Sequence, residues 1–277
     1  VALTRPPVDP AQPGPFAGLD PAGLPADGPV AIGADLSPAS LVGAYRGGFF
    51  PVPASAIDPA SEEGQAIAAG LAANRPGLLR TVDGSPPDAT LTWWNPDPRC
   101  ALWPEHAHVS RTLRGRLRTS GWTTTVDAAF DDVVRSCRRE GPLAWITPEL
   151  RAAYRRLHAL GWAHSVEVWA GQVLAGGLFG IGVGAVFAIE SMFHRVTDAS
   201  KAAMIDLADR FGAAGGRLID VQLPSAHLLS MGARELPRAR FLEVLDPPAA
   251  DGRVQGAVRW VVDRLPVDRL RAFPRAG

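Results

Sequence analysis

A chain of 277 residues with 47% apolar side chains can bury a full core, which excludes a polypeptide disordered throughout. Bases and acids balance at 28 each, so the charge of the whole chain gives no argument for a polyanionic partner. Two cysteines, Cys100 and Cys137, stand far apart with no CxxC pair; this speaks against a structural zinc site or a disulfide-stapled secreted domain and favours a reducing cytoplasm.

The first thirty residues are rich in proline and glycine and read as loop or poorly ordered arm, without the charged lead and apolar run of a signal peptide. A helix follows over residues 36–46: Ser37 can cap it, Pro38 suits its first position, Leu41, Ala44 and Tyr45 share a face, and Gly47-Gly48 ends it. Residues 54–90 lack periodicity and read as a surface insertion with one short helix. From Arg99 to Arg156 eleven arginines face six acids, a locally basic stretch. Within it Arg111, Arg114 and Arg118 fall at i, i+3 and i+7, a stripe on one helix face that by itself reads as a solvated surface.

Thr147-Pro148-Glu149-Leu150 opens a helix with a threonine cap, proline at the first position and an acid in the first turn; Leu150, Ala153, Tyr154, Leu157 and Leu160 line its buried side and Gly161 stops it. Residues 168–189 hold no charge, the length of a membrane span, but six glycines and Gln172 divide them. They read instead as strands near 164–169, 173–181 and 185–192 joined by tight turns. A helix over 198–213 buries Met204, Leu207, Ala208 and Phe211, a strand runs over 217–223, Ser225 caps a last short helix ending at Gly232, and the remainder reads as irregular. Helix, three antiparallel strands, helix, strand, helix is the order of an α+β domain.

Chemistry has few places to sit. Alternation in the last strand puts Asp220 and Gln222 side by side, opposite Ile219, Val221 and Leu223; on pattern alone this is a half-buried strand with a polar outer face. Glu190 is a lone acid in an apolar strand, and a buried carboxylate must be hydrogen-bonded or bind something cationic. His158 and His164 lack a third ligand at metal spacing. Residues 180–184 resemble a phosphate loop only superficially, since no helix start or lysine follows, and Ser191, Ser200 and Ser230 have no G-x-S-x-G setting. Lys201 is the only lysine.

Taken together, the segments resemble the leucyl/phenylalanyl-tRNA protein transferase family. The resemblance runs in order through Gly33-Ala34-Asp35-Leu36-Ser37-Pro38, Ala44-Tyr45-Arg46 with Phe50-Pro51, Trp93-Trp94-Asn95-Pro96-Asp97-Pro98-Arg99, Trp145-Ile146-Thr147 and Ala163-His164-Ser165-Val166-Glu167-Val168-Trp169. It continues through Gly176-Gly177-Leu178-Phe179-Gly180, Glu190-Ser191-Met192-Phe193, Ala199-Ser200-Lys201, Ile219-Asp220-Val221-Gln222, His227-Leu228 and Gly232-Ala233. It implies a small N-terminal domain, residues 1–97, carrying the Pro/Gly-rich arm and the insertion. A catalytic domain, residues 98–277, would have a GCN5-related acetyltransferase-like fold with a central, mainly antiparallel sheet flanked by helices.

The implied activity is transfer of leucine or phenylalanine, with methionine as a further donor, from aminoacyl-tRNA to acceptor proteins beginning with arginine or lysine, marking them for degradation. No metal, organic cofactor or membrane is implied. By the same resemblance Glu190, Asp220 and Gln222 form the catalytic centre, Trp145, Leu178, Phe187, Met192, Leu207 and Val52 bound the aminoacyl pocket, and Arg99, Arg111, Arg114 and Arg118 hold tRNA phosphates. The chain departs from the family pattern at Val52 (usually tryptophan), His194 (serine), Asp198 (asparagine), Val221 (cysteine) and Ser225 (asparagine). The alternatives are an ordinary acetyltransferase, a tRNA- or peptide-binding module without catalysis, or the same reaction with a shifted amino-acid preference.

Overall fold

Short-range signals are realised first. Ser37 accepts the Ser40 amide and opens helix α1, Pro38–Arg46, whose buried side includes Leu41, Ala44 and Tyr45. The computed structural model describes residues 2–12, 14–16, 19–54, 57, 60, 80–81, 91–138, 144–245 and 257–274. A small sheet gathers β1 (Pro29–Ile32), β2 (Phe50–Pro53), β3 (Arg80–Thr81) and β4 (Leu91–Trp94) in the order β2-β4-β1-β3. Strand β3 comes from the expected insertion; the short helix expected there lies outside the described residues.

The larger sheet has eight strands: β5 (Arg99–Leu102), β6 (Thr123–Val126), β7 (Ala163–Ala170), β8 (Val173–Val183), β9 (Val186–His194), β10 (Leu218–Gln222), β11 (Arg234–Leu236) and β12 (Leu265–Pro266), in the order β11-β5-β10-β9-β8-β7-β6-β12. The glycine-divided run forms the β7-β8-β9 meander, and among the described residues no helix is long and apolar enough to cross a membrane. Only β9 and β10 of this sheet run parallel.

Helices cover both faces, so the architecture is mixed α+β. On one side lie α1, α3 (Phe130–Cys137), α4 (Pro148–Ala159) and α7 (Arg238–Leu245), sharing a core with Phe50, Trp93 and Phe179. On the other, α2 (Arg111–Thr119) and α5 (Ala199–Ala213) pack with Phe187 and Trp260. Thr147 caps α4 by accepting the Leu150 amide, and Ser225 caps α6 (Ala226–Leu229) by accepting that of Leu228.

Three expectations are corrected. The described part of the N-terminal arm is mostly loop, as one alternative had it, but not poorly ordered: the Thr4 amide donates to the Trp260 carbonyl and Phe16 stacks edge-on against Trp93, because a proline-rich segment can still bury its apolar side chains. Helix α5 is buried almost all round rather than on one face, because α2 and a 3-10 turn at Val267–Ala272 cover its outer side. Its buried Asp206 is satisfied by Thr124, Arg210 and Arg269. Finally, the chain beyond Gly232 is not wholly irregular, since β11 and α7 follow.

Candidate active site

Strand β10 places Asp220 opposite Ala188 of β9, and the pairing of the two parallel strands ends there. Both strands are bulged near this point. On β9 the register against β8 steps from Ser191 to Ile189, so Glu190 has no partner; on β10 the register against β5 steps from Asp220 to Gln222, leaving Val221 extra. A bulge re-aims the side chains beside it. Gln222 completes this one with a left-handed backbone, φ +65, and its amide N–H donates to Asp220 Oδ1 at 2.8 Å.

Asp220 is not on a polar outer face, as alternation suggested, but wholly buried. Arg99 reaches it from β5 with two hydrogen bonds, Nε to Oδ1 at 2.9 Å and Nη2 to Oδ2 at 2.6 Å, while Nη1 donates to the Gly48 carbonyl at 3.1 Å. The guanidinium lies between the Phe50 and Phe241 rings, 4.8 and 4.7 Å from their centroids. Arg99, expected among the phosphate-binding arginines, is therefore 1% exposed and fully engaged: the charge count registered a cation but not its burial. Its role is to neutralise Asp220.

Glu190 is the carboxyl group of the site without an ion-pair partner. Its Oε1 accepts from Gln222 Nε2 at 3.1 Å and its Oε2 from the Tyr154 hydroxyl at 2.8 Å. Burial is the main cause that raises it to about 7; the Tyr154 and Tyr45 hydroxyls pull it back and the Asp220 charge pushes further up. The Tyr45 hydroxyl is buried and makes no hydrogen bond of good geometry, although it is close enough to Glu190 and Tyr154 for both, after burial, to push it well above the ordinary tyrosine range. In the sequence Tyr45 and Tyr154 mark buried helix faces. They are the two tyrosines of the chain, both on buried helix faces, and a buried hydroxyl asks for a polar partner; that was the available signal.

The expected pocket residues divide between the two faces of the sheet. Leu178, Phe187 and Leu207 are fully buried in the core under α5, with Met192 partly buried against it. Trp145 and Val52 pack against the other core; Trp145 stands edge-on to Tyr154, 6.5 Å between centroids. Met192 also borders an open cavity of about 460 Å³. Of the expected basic stripe, Arg111 and Arg118 are exposed on α2, whereas Arg114 donates to the carbonyls of Arg271 and Phe273 and so braces the C-terminal segment. The three line one concave surface with Arg269 and Arg271.

His158 and His164 do meet a third group, Asp127, the three ligand atoms lying within 4.8 Å of one another. Sequence spacing missed it because Asp127 arrives from the turn after β6. All three are already hydrogen-bonded: His164 Nδ1 lies 2.8 Å from Asp127 and its Nε2 3.1 Å from the Gly161 carbonyl, while His158 Nδ1 lies 2.9 Å from that of Ala163. Glu167, raised to about 7 chiefly by burial, is held by Thr125, Ser165 and the amides of Ala128 and Ala129, and ties β7 to the start of α3.

Comparison with known proteins bears on the family of the chain. A family model described as leucyl/phenylalanyl-tRNA protein transferase matches residues 101–246. Relatives named leucyl/phenylalanyl-tRNA–protein transferase include one from Chromohalobacter salexigens, 45% identical over 79% of this chain and 75% of its own length. Another, from Aromatoleum aromaticum, is 41% identical over 86% and 87%. Among solved structures, a conserved protein of unknown function from Bacteroides thetaiotaomicron aligns at a TM-score of 0.34 with 13% identity over 60% of each chain, too distant to carry an argument.

Proposed function

Since the chain belongs to the leucyl/phenylalanyl-tRNA protein transferase family and is an aminoacyltransferase, we propose that Glu190, Gln222 and Asp220 form the centre at which leucine or phenylalanine passes from its tRNA ester to the α-amine of an acceptor protein. The observation that carries this is that Gln222 is held at two points, backbone and side chain. Its backbone N–H is tied to Asp220 and its side-chain Nε2 to Glu190, which leaves its carbonyl oxygen to accept from an incoming amine.

The donor ester is already activated, and roughly a tenth of an α-amine with a pKa near 8 is neutral at pH 7. Orientation is therefore the main task. The amine nitrogen bonds to the ester carbonyl carbon, the carbon–oxygen bond to the ribose breaks, and the proton lost by nitrogen ends on the ribose oxygen. Gln222 orients the amine, Asp220 with Arg99 positions Gln222, and Glu190, the carboxyl group without an ion-pair partner, would ionise on meeting a cationic side chain, which favours acceptors beginning with arginine or lysine. Of the residues expected around the apolar aminoacyl group, Met192 borders an open cavity, Trp145 and Val52 lie across the sheet from it, and the fully buried Leu178, Phe187 and Leu207 would support the pocket wall from behind. Arg111 and Arg118, on the surface that Arg114 braces, would hold tRNA phosphates without reading sequence. We assign the reaction to the cytoplasm and its products to degradation. We also propose a division at residue 97 into a small N-terminal domain and a catalytic domain with a GCN5-related acetyltransferase-like fold.

The test is transfer of labelled leucine or phenylalanine from charged tRNA to peptides beginning with arginine, lysine or alanine. Wild type should modify the first two, and Gln222→Ala should lower kcat by about a hundredfold or more, the usual cost of losing a positioned hydrogen-bonding group. Charged-tRNA binding without any transfer would leave a binding module instead.

A further inference from the structure

The cavity beside Met192 is separate from the Glu190–Gln222 pair and collects an unusual set of groups. Its lining includes Ser136, His194, Ser200, Lys201 and His227, with Asp198 as the one carboxylate. Lys201 Nζ is held by Asp198 Oδ1 at 2.8 Å, which fixes the ammonium while leaving two of its three N–H donors for something else. Ser200 Oγ lies 3.4 Å from His194 Nδ1, and Arg195 Nη2 donates to Ser136 Oγ at 2.9 Å, so a further cation stands against the lining.

These bases crowd one another. His227 is held below its ordinary value, first by burial and then by Lys201 and His194, with Asp198 acting in the opposite direction. Basic groups gathered in one open cavity favour an anion there. The backbone agrees: Asp198 is left-handed, φ +71, and its side chain gives no cap to α5; the Ala199 amide bonds to the Val196 carbonyl, and among the described residues no side chain accepts from the Ser200 or Lys201 amide of that 15-residue helix.

We infer that this cavity is an anion site that takes the phosphate of the donor's terminal nucleotide, with Lys201, His194 and His227 around the phosphate oxygens and the hydroxyls of Ser136 and Ser200 as further donors. The inference rests on the transferase reading for the identity of the donor. Position supports the assignment, because Met192 and His194 lie two and four residues beyond Glu190 on β9. Two and four residues along a strand span about 7 and 13 Å, so the cavity opens from the same strand that carries Glu190. Any free phosphate shares this chemistry, so the test separates a nucleotide from the bare ion.

Calorimetry would compare binding of adenosine, adenosine 5′-monophosphate and inorganic phosphate to wild type, Lys201→Ala and Lys201→Gln. Lys201 is about one-third exposed, and thermal unfolding would show that both variants fold. We expect the monophosphate to bind wild type at least about tenfold more tightly than adenosine, as one or two charged hydrogen bonds would give. That preference should fall to about twofold in both variants. Equal affinity for adenosine and its monophosphate in wild type, or a preference that survives in both variants, overturns the site; so does inorganic phosphate binding as tightly as the nucleotide. Wild type that shows the preference yet transfers nothing from charged tRNA would keep the anion site and remove the transferase reading.

Discussion

Glu190 sits near 7 in the fold against an ordinary 4.5, so the native protein holds its proton more tightly than the unfolded chain does. Stability from this group is therefore full below about pH 4.5 and is lost as pH rises through about 7, a loss on the order of 3 kcal/mol. Glutamine keeps the shape without the titration. Urea unfolding of Glu190→Gln at pH 5 and pH 8 should show a narrower gap than wild type, with the remainder due in part to Glu167, whose shift has the same sign; an unchanged gap would refute the assignment. Arg99 and Asp220 behave differently, because removing one buried charge strands the other. Arg99→Ala should cost roughly 3–5 kcal/mol, and lysine should not restore it, since an ammonium cannot make the two parallel bonds. A loss under about 1 kcal/mol would mean that the pair is solvated.

Strands and helices differ in how far they could be read from sequence. Caps at Ser37, Thr147 and Ser225 are local chemistry, and all three helices begin where those residues say. The meander was equally legible, because glycine and apolar alternation are properties of single segments. The bulges were not: whether Glu190 lacks a partner depends on the register of β8, and whether Val221 is extra depends on β5. One glycine records the β9 bulge. A Cβ on Gly180 would lie 2.1 Å from the Ala188 carbonyl oxygen, so β8 can approach the bulged β9 there only without a side chain. Gly180→Ala should cost about 1–3 kcal/mol by overpacking and lower kcat as well, because straightening β9 moves Glu190; full stability and activity would show that the backbone yields freely. Helix α7 was missed although Phe241, Val244 and Leu245 have helical spacing, since it carries no side-chain cap in the sequence to announce it.

At the scale of the whole molecule, balanced charge concealed a sided distribution. The surface lined by Arg111, Arg114, Arg118 and Arg271, with Asp268 and the ion-paired Arg269 beside them, predicts donor binding that weakens with salt. Arg111→Ala and Arg118→Ala should each raise KM for charged tRNA at near-constant kcat and lessen the salt slope by about one; an unchanged slope would place the tRNA elsewhere. Arg114→Ala should add a loss of thermal stability, because that side chain holds two C-terminal carbonyls. Composition could not distinguish these arginines from Arg99, since a buried ion pair joining residues 121 apart leaves no periodic trace.

The Gly47-Gly48 turn gives Arg99 its third acceptor, and the helix before it carries Tyr45 up to Glu190. Both sides of residue 97 thus contribute to the proposed centre: Tyr45 and the Gly48 carbonyl come before it, while Arg99, Tyr154, Glu190, Asp220 and Gln222 come after it. Expressed as two separate polypeptides, neither piece would turn over, and transfer would report their reunion, so that the enzyme could serve as a complementation reporter for any pair of proteins fused to the fragments.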